Sequence, residues 1–309
     1  MPVSRFAVLA GIPERTYRFR LARLRARTPS AKGPWPAPAV DLIEAVAAKY
    51  AADWPAWGHR KIAAMLRADG HQVSDSSVER ALRRRGLLLP QGFRADHRTM
   101  ARVRRQVFGD PVTHRNRVWQ MDFSEFETTS GGIWRLCAVI DYATKYCLAA
   151  TVTPTSRARD AVACVELAIA EAQQLLGLQD LREDRGTLDL LDETTGELID
   201  SVPAPIALVT DNGPAFRSAT FTTIFSAQDP LLKHVRTRVR SPQTNGVVER
   251  FFGTAKYEHL YRSLIDDGDA LAMEFSRFRT IYNTIRPHQA IGYKTPTLAY
   301  LQGHTLQDS

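Results

Sequence analysis

Asp122, Asp211 and Glu249 are the side chains of this 309-residue sequence whose types and settings could do chemistry together. Asp122 stands inside an alternating run, VWQMDF, where an unpaired charge is costly if buried. Asp211 follows the apolar run IALVT, at the strand end where open α/β sheets place their sites, and Asn212–Gly213 supplies a sharp turn after it. Glu249 comes early in a helix that grows out of the turn-rich SPQTNG. Lys256 lies seven residues further on, nearly two helical turns, so both project from one face. Three carboxylates converging from separate elements suit Mg²⁺, which takes a few protein oxygens and keeps waters and substrate phosphate oxygens. Two such ions, about 3.5–4 Å apart, serve phosphodiester cutting or joining by activating the attacking oxygen and stabilising the leaving one. Mn²⁺ can take their place, and Lys256 would reach a phosphate. Singly each acid has a plainer reading: Asp211 as a turn residue, Glu249 as a solvated helix residue. Asp141 (in AVIDYATKY), Glu125 and Glu127 are set aside for hairpin or surface roles.

The elements around these residues read as α/β. VWQMDFSEF, GIWRLCAVIDYA and KYCLAATVT alternate or run apolar as three successive strands, a meander. An Ala-rich helix over 159–176 follows, then the strand IALVTDNG, apolar as a buried central strand should be. A short helix over 218–226, a strand over 234–239 and the Glu249 helix over 244–262 complete the order of a ribonuclease H-like fold, with a mixed five-stranded sheet and flanking helices. Residues 180–205 interrupt it with an acidic segment whose LDLLDETTGELIDS reads as a hairpin closed at Thr195–Gly196. The core is thus placed at 116–265 and a C-terminal tail at 266–309, with a helix through Tyr282 and a short helical end.

In front of the core the chain is helical and basic. Net charge is +8, yet residues 1–116 hold 22 Lys and Arg against 9 Asp and Glu, while the rest hold 19 against 24. A basic front third points to a polyanion, or to a merely solvated basic surface. Residues 1–28 read as a helix-turn-helix: Gly11 breaks the first helix, Pro13 starts the second, and Arg15 and Arg18 lie on that second helix. A Pro/Ala/Gly-rich linker spans 29–39. A second helical unit spans 40–89, its last helix capped at Ser74 or Asp75 and crowded with Arg80, Arg83, Arg84 and Arg85. These arginines suit phosphates better than base edges. A basic linker over 90–115 carries Arg104 and Arg105. No run of about 18 uncharged apolar residues indicates a membrane span, and a cytoplasmic location is expected. Cys137, Cys147 and Cys164 form no CxxC pair and read as buried thiols.

WQMDF, VTDNG and SPQTNGVVERFFGTAKYE together resemble the catalytic signature of the retroviral-type integrase core in bacterial insertion-sequence transposases. YNTIRPHQAIGYKTP is similar to the C-terminal motif of that family, and WGHRKIAAMLRADGHQVSDSSVERALRRRGL to its DNA-binding segment. The match is nearest to the catalytic second-frame product of the insertion-sequence-three family, and it runs from about Trp57 to Pro296. The resemblance implies a DDE recombinase with Asp122, Asp211 and Glu249 as metal ligands and Lys256 as the basic residue after the glutamate. It implies double-stranded DNA, element ends and target, as partner, a homo-oligomer on that DNA, and an upstream-frame partner protein. Two spacings depart from the family. Asp122 and Asp211 are 89 positions apart, the acidic hairpin accounting for the excess, and Asp211 and Glu249 are 38 apart. The zinc-binding His/Cys domain of retroviral integrases is absent from the sequence. A catalytically silent, domesticated DNA-binding protein or transposition regulator, and a nuclease for RNA–DNA hybrids, are the other readings. Because Glu249 follows a loop, it is expected to be the last of the three acids to reach its place.

Overall fold

The computed structural model describes residues 3–9, 11, 13–25, 39–89, 112–191, 198–227, 229–237 and 245–303. Its centre is a five-stranded mixed sheet in the order β3-β2-β1-β6-β7. β1 (Val118–Glu127) pairs antiparallel with β2 (Ile133–Asp141), and β2 with β3 (Cys147–Thr153), which makes the expected meander. On its other side β1 runs parallel to β6 (Ile206–Thr210), and β6 to β7 (Leu232–Arg236). β7 begins two residues before the strand expected at His234.

Both faces of the sheet are covered, so β2 is apolar at nearly every position. Its odd residues Cys137 and Val139 join Trp119 and Met121 of β1 against Ala161, Cys164, Val165 and Ala168 of α6 (Ala158–Leu176). Its even residues Leu136, Ala138 and Ile140 face Val248, Phe251 and Phe252 of α8 (Gly246–Glu258) and Leu271, Phe275 and Phe278 of α9 (Gly268–Thr284). α7 (Ala219–Thr222) and α10 (Pro296–Gln302) are short. The boundary drawn at 265/266 is therefore not one of packing. α9 fills the second layer beside α8, and Tyr300 of α10 is fully buried in the first. A Cβ on Gly268 would meet the Trp134 ring at 2.3 Å, so α9 can start there only with glycine. The Glu249 helix is also shorter than its pattern: it ends at Glu258, and Leu260–Arg262 forms a separate 3-10 turn.

In the front part, α1 (Val3–Leu9) and α2 (Glu14–Arg25) flank Gly11, whose φ is +61°. α3 (Ala39–Asp53), α4 (His59–Ala68) and α5 (Asp75–Arg84) share a small core around Ala47, Trp57, Ile62, Leu66, Val78 and Leu82. Ser74 caps α5, its hydroxyl accepting from the Ser77 amide. The acidic segment forms β4 (Thr187–Leu191) and β5 (Leu198–Pro203), an antiparallel pair apart from the main sheet. Its root is tied down by Arg115 on Asp184 at 2.7 Å and Arg185 on Asp229 at 2.8 Å. The turn at Thr195–Gly196, the linker over 29–38 and the loop over 241–244 lie outside the described residues. All three cysteines are free and buried.

Candidate active site

β1 organises the site through its period of two. Gln120, Asp122 and Ser124 point to one face, and α8 lies along that face. At one end Gln120, fully buried, accepts from the backbone N–H groups of Val247 (2.9 Å) and Val248 (3.3 Å). A helix leaves its first amides without partners, and here a strand side chain caps them from outside. Asn245, just before α8, directs its amide at the Met121 carbonyl 3.5 Å away, and its Oδ1 is buried without a partner. At the other end Lys256 Nζ donates to Ser124 Oγ at 2.8 Å. Burial holds that amine below the usual lysine range, and the Glu125 charge works against the shift. Asp122 and Glu249 lie between these two attachments.

Asp211 enters from the next strand. β6 is parallel to β1 with Val209 opposite Gln120, so the residue just past β6 arrives level with Asp122. The turn after it is fastened on both sides. Gly213 N donates to Asp211 Oδ1 at 2.9 Å, Asn212 Nδ2 donates to the Thr237 carbonyl at 2.6 Å, and Thr237 N donates to the Thr210 carbonyl. A Cβ at position 213 would stand 3.0 Å from Asp211 Oδ1, which explains the glycine.

Asp211 and Glu249 are both close enough to Asp122 for their charges to act on it. The Asp122 carboxyl is pushed up from 3.8 to about 7, chiefly by burial. The negative charges of Asp211 and Glu249 add to the rise, against one hydrogen bond from Phe123 N at 2.8 Å. Like charges gathered this way disfavour ionisation until a cation joins them. The donor set is all carboxylate oxygen, which fits a hard divalent ion such as Mg²⁺. Among the described residues no three His, Cys, Asp or Glu side chains are already grouped to hold an ion. Glu249, exposed on the first turn of α8, follows the loop over 241–244.

The acids set aside behave differently. Glu125 pairs with Arg135 across the β1–β2 ladder at 3.2 Å. Asp141 takes the hairpin role, not the surface one, of the two expected for it. It is fully buried and accepts from the amides of Asn116 (2.9 Å) and Thr144 (2.8 Å) and from the Thr144 hydroxyl (2.6 Å), which closes the β2–β3 hairpin.

Among the described residues, the arginines expected to meet DNA lie on α2 and along α5 to its C-cap, while Lys256 alone of the expected basic residues packs on the β1 face of Asp122. Arg84 and Arg85 both bind Glu44 of α3, at 2.9 and 2.7 Å, and hold that carboxyl below its usual range. Arg83 pairs with Glu79 at 2.7 Å, Arg80 reaches Ser77 at 3.4 Å, and Arg18 pairs with Glu14 at 2.6 Å. Arg15 is exposed on α2, and Arg104 and Arg105 lie outside the described residues. Sequence reasoning passed over Gln120, Ser124 and Asn245. The first two are two residues to either side of Asp122, so the strand period alone puts them on its face.

A half-buried aspartate in a central strand, a second at the end of the neighbouring parallel strand and a glutamate on the covering helix are the arrangement of a DDE-type polynucleotidyl transferase. Two family models, both described as integrase core domain, match residues 112–242 and 232–296 and together span more than half of the chain. Similarity to integrase cores thus runs from residue 112 to residue 296. It is 26% identical over 247 residues to the transposase InsD for insertion element IS2A/D/F/H/I/K of Escherichia coli, covering 78% of this chain and 72% of that one. The InsD transposase for insertion element IS2-9 of E. coli strain K12 matches at the same identity, with 71% of its length covered. Among solved structures, the HTLV-2 integrase catalytic core domain in complex with magnesium is similar at 19% identity and a TM-score of 0.40, over 60% of this chain and 97% of that one. The simian T-cell lymphotropic virus intasome in complex with PP2A regulatory subunit B56 gamma is similar at 17% and 0.44, over 82% and 74%.

Proposed function

We propose that this protein is the transposase of an insertion sequence of the insertion-sequence-three type. It binds the terminal inverted repeats of its element, frees a 3′-hydroxyl at each end by hydrolysis, and joins that hydroxyl to a target strand. The observation that carries this reading is the placement of Asp122, half-buried in β1, level with Asp211 at the end of the parallel β6 and on the face covered by α8, which bears Glu249. Asp122, Asp211 and Glu249 would hold two Mg²⁺ ions, or Mn²⁺ in their place, which when bound activate the attacking oxygen and stabilise the leaving one. Gln120 and Asn245 fix the start of α8 against β1 and so set where Glu249 can swing. Ser124 orients the Lys256 ammonium toward the strand that crosses the site. Arg15, Arg18, Arg80, Arg83, Arg84, Arg85, Arg104 and Arg105 supply phosphate contacts on duplex DNA, those now paired with acids exchanging partners. A homo-oligomer on the two ends, an upstream-frame partner and a cytoplasmic location belong to the same reading. No helix among the described residues is long and apolar enough to cross a membrane.

The test is strand transfer on end-mimic duplexes with Mg²⁺ or Mn²⁺. Wild-type protein joins the ends to target DNA and Asp122→Asn does not. Equal joining by both would overturn the assignment, and end binding without any joining would favour the silent regulator.

A further inference from the structure

A recess opens at the start of the helix that carries Glu249. It is a cleft of about 510 Å³ between α4, the β2–β3 turn, the start of α8 and the segment after α9. Five cations line it: Arg60 and Lys61 of α4, Lys145 of the turn, Arg250 of α8 and Arg286 beyond α9. Glu79 is the one carboxylate among the described residues that line it, and it already pairs with Arg83. Glu258, behind the cleft, offsets Lys61 at 2.7 Å and Arg286 at 2.8 Å. With histidines neutral, the described residues that line or back the cleft carry five positive charges against the two negative ones of Glu79 and Glu258. Burial, and after it the Arg286 charge, pulls the Lys61 ammonium down to about 8 even with Glu258 beside it. Aromatic rings sit among the cations: Tyr142, with Lys145 Nζ 4.4 Å above its ring, and Tyr293, half-buried beside Arg60.

The cleft reaches the first turn of the helix that carries Glu249. Arg250 follows Glu249 on the first turn of α8, and consecutive helical side chains leave the axis about 100° apart. One therefore serves the acids while the other lines the cleft. A volume of this order suits a small ligand and not a duplex. A basic groove with interleaved aromatic rings is the chemistry of unpaired nucleic acid, phosphates on the cations and bases on the rings.

We propose that this cleft binds a short unpaired stretch of the DNA strand that leaves the catalytic carboxylates, with phosphates on Arg60, Lys145 and Arg250 and a base against Tyr142 or Tyr293. The proposal rests on reading Asp122, Asp211 and Glu249 as the DNA-processing site, and its test is kept independent of that chemistry. The full chain, without metal, is mixed with a fluorescent eight-residue single-stranded oligothymidylate that carries one 4-thiothymidine. Anisotropy gives affinity and its salt dependence, and photo-crosslinking with peptide mapping gives the location. Wild-type protein should cross-link through the peptides that contain Tyr142 or Tyr293. Arg60→Glu with Lys145→Glu should lose about tenfold in affinity and about 1.4 from the salt slope, as for two lost phosphate contacts. Arg60→Gln with Lys145→Gln should show a smaller loss and covers the case in which the reversal fails to fold. Cross-links confined to other segments, or affinity unchanged in a folded variant, would overturn the proposal. If wild-type protein cross-links in the cleft yet never joins end DNA, the transposase reading fails and the cleft stands. If it joins DNA without cleft cross-links, the cleft fails alone.

Discussion

Replacing Glu258 by glutamine should loosen the hold of the front helices on the catalytic core. Glu258 closes α8, nine residues after Glu249, and takes a bidentate grip from Arg286 (Nε and Nη2, both 2.8 Å) with Lys61 Nζ at 2.7 Å. Lys61 belongs to α4, so one carboxylate joins the helical unit, α8 and the segment after α9. Against the penalty of burial, hydrogen bonds and charge from Arg286 and Lys61 pull the Glu258 carboxyl from 4.5 down to about 2. A shift of that size corresponds to about 3 kcal/mol at neutral pH. The two partners do not gain equally. Lys61 is itself lowered from 10.5 to about 8, because burial and the Arg286 charge outweigh Glu258. The carboxylate therefore serves Arg286 first, and without it Lys61 would shed its proton and recover part of the loss. The expected cost of Glu258→Gln is about 2–3 kcal/mol, just under the range for breaking a buried ion pair. Urea unfolding should show a lower midpoint, and hydrogen exchange should show faster opening of 59–68 and of the end of α8. The sign with pH follows: a depressed carboxyl stabilises above 4.5 and loses that stabilisation as pH falls toward 2, so the wild-type advantage shrinks in acid. A depressed lysine is a penalty below pH 8 that is relieved as the group loses its proton, so wild-type stability should also rise from pH 8 to 10.5, and Lys61→Met should not follow it. An unchanged midpoint and unchanged exchange in Glu258→Gln would refute the reasoning.

Three further predictions concern the carboxylate site. Asp122→Asn should raise the metal-free melting temperature, since it removes a charge that burial, Asp211 and Glu249 all disfavour, and Mg²⁺ should stabilise wild-type protein but not the variant in the same melt. Gly213→Ala must displace the Asp211 carboxylate by a few tenths of an ångström. It should lower strand transfer about tenfold while leaving the urea midpoint nearly unchanged, since a 1 Å misplacement costs about a hundredfold. Gln120→Leu uncaps α8 and should cost about 1–2 kcal/mol of stability. In single-turnover assays its rate should fall while end-DNA affinity holds, and equal losses in both would make Gln120 merely structural.

The parts legible in the sequence were those set by short-range pattern. The alternation of VWQMDFSEF placed β1 and put Asp122 inside it, and the apolar IALVT ended where Asp211 begins. The Ser74 cap was visible for the same reason, being a contact between neighbours. What stayed hidden depends on contacts distant in the chain. Lys61 and Glu258 are 197 positions apart, and nothing near either announces the other. The pairing of Arg84 and Arg85 with Glu44, about 40 positions away, turns a presumed phosphate-binding face into one already partnered with α3. Asp141 was open between a hairpin and a surface role because one of its three donors, Asn116, lies 25 residues earlier. The helix after Gly268 looked like a tail because its amphipathic face does not say which layer it joins.

The central claim is that three carboxylates act as one site, and single-turnover strand transfer by Asp122→Asn, Asp211→Asn and Glu249→Gln, run beside end-DNA binding on the same preparations, tests it most directly. The account predicts that each variant falls to background in Mg²⁺ while binding end DNA as wild-type protein does. Joining at the wild-type rate by any one of the three would contradict it.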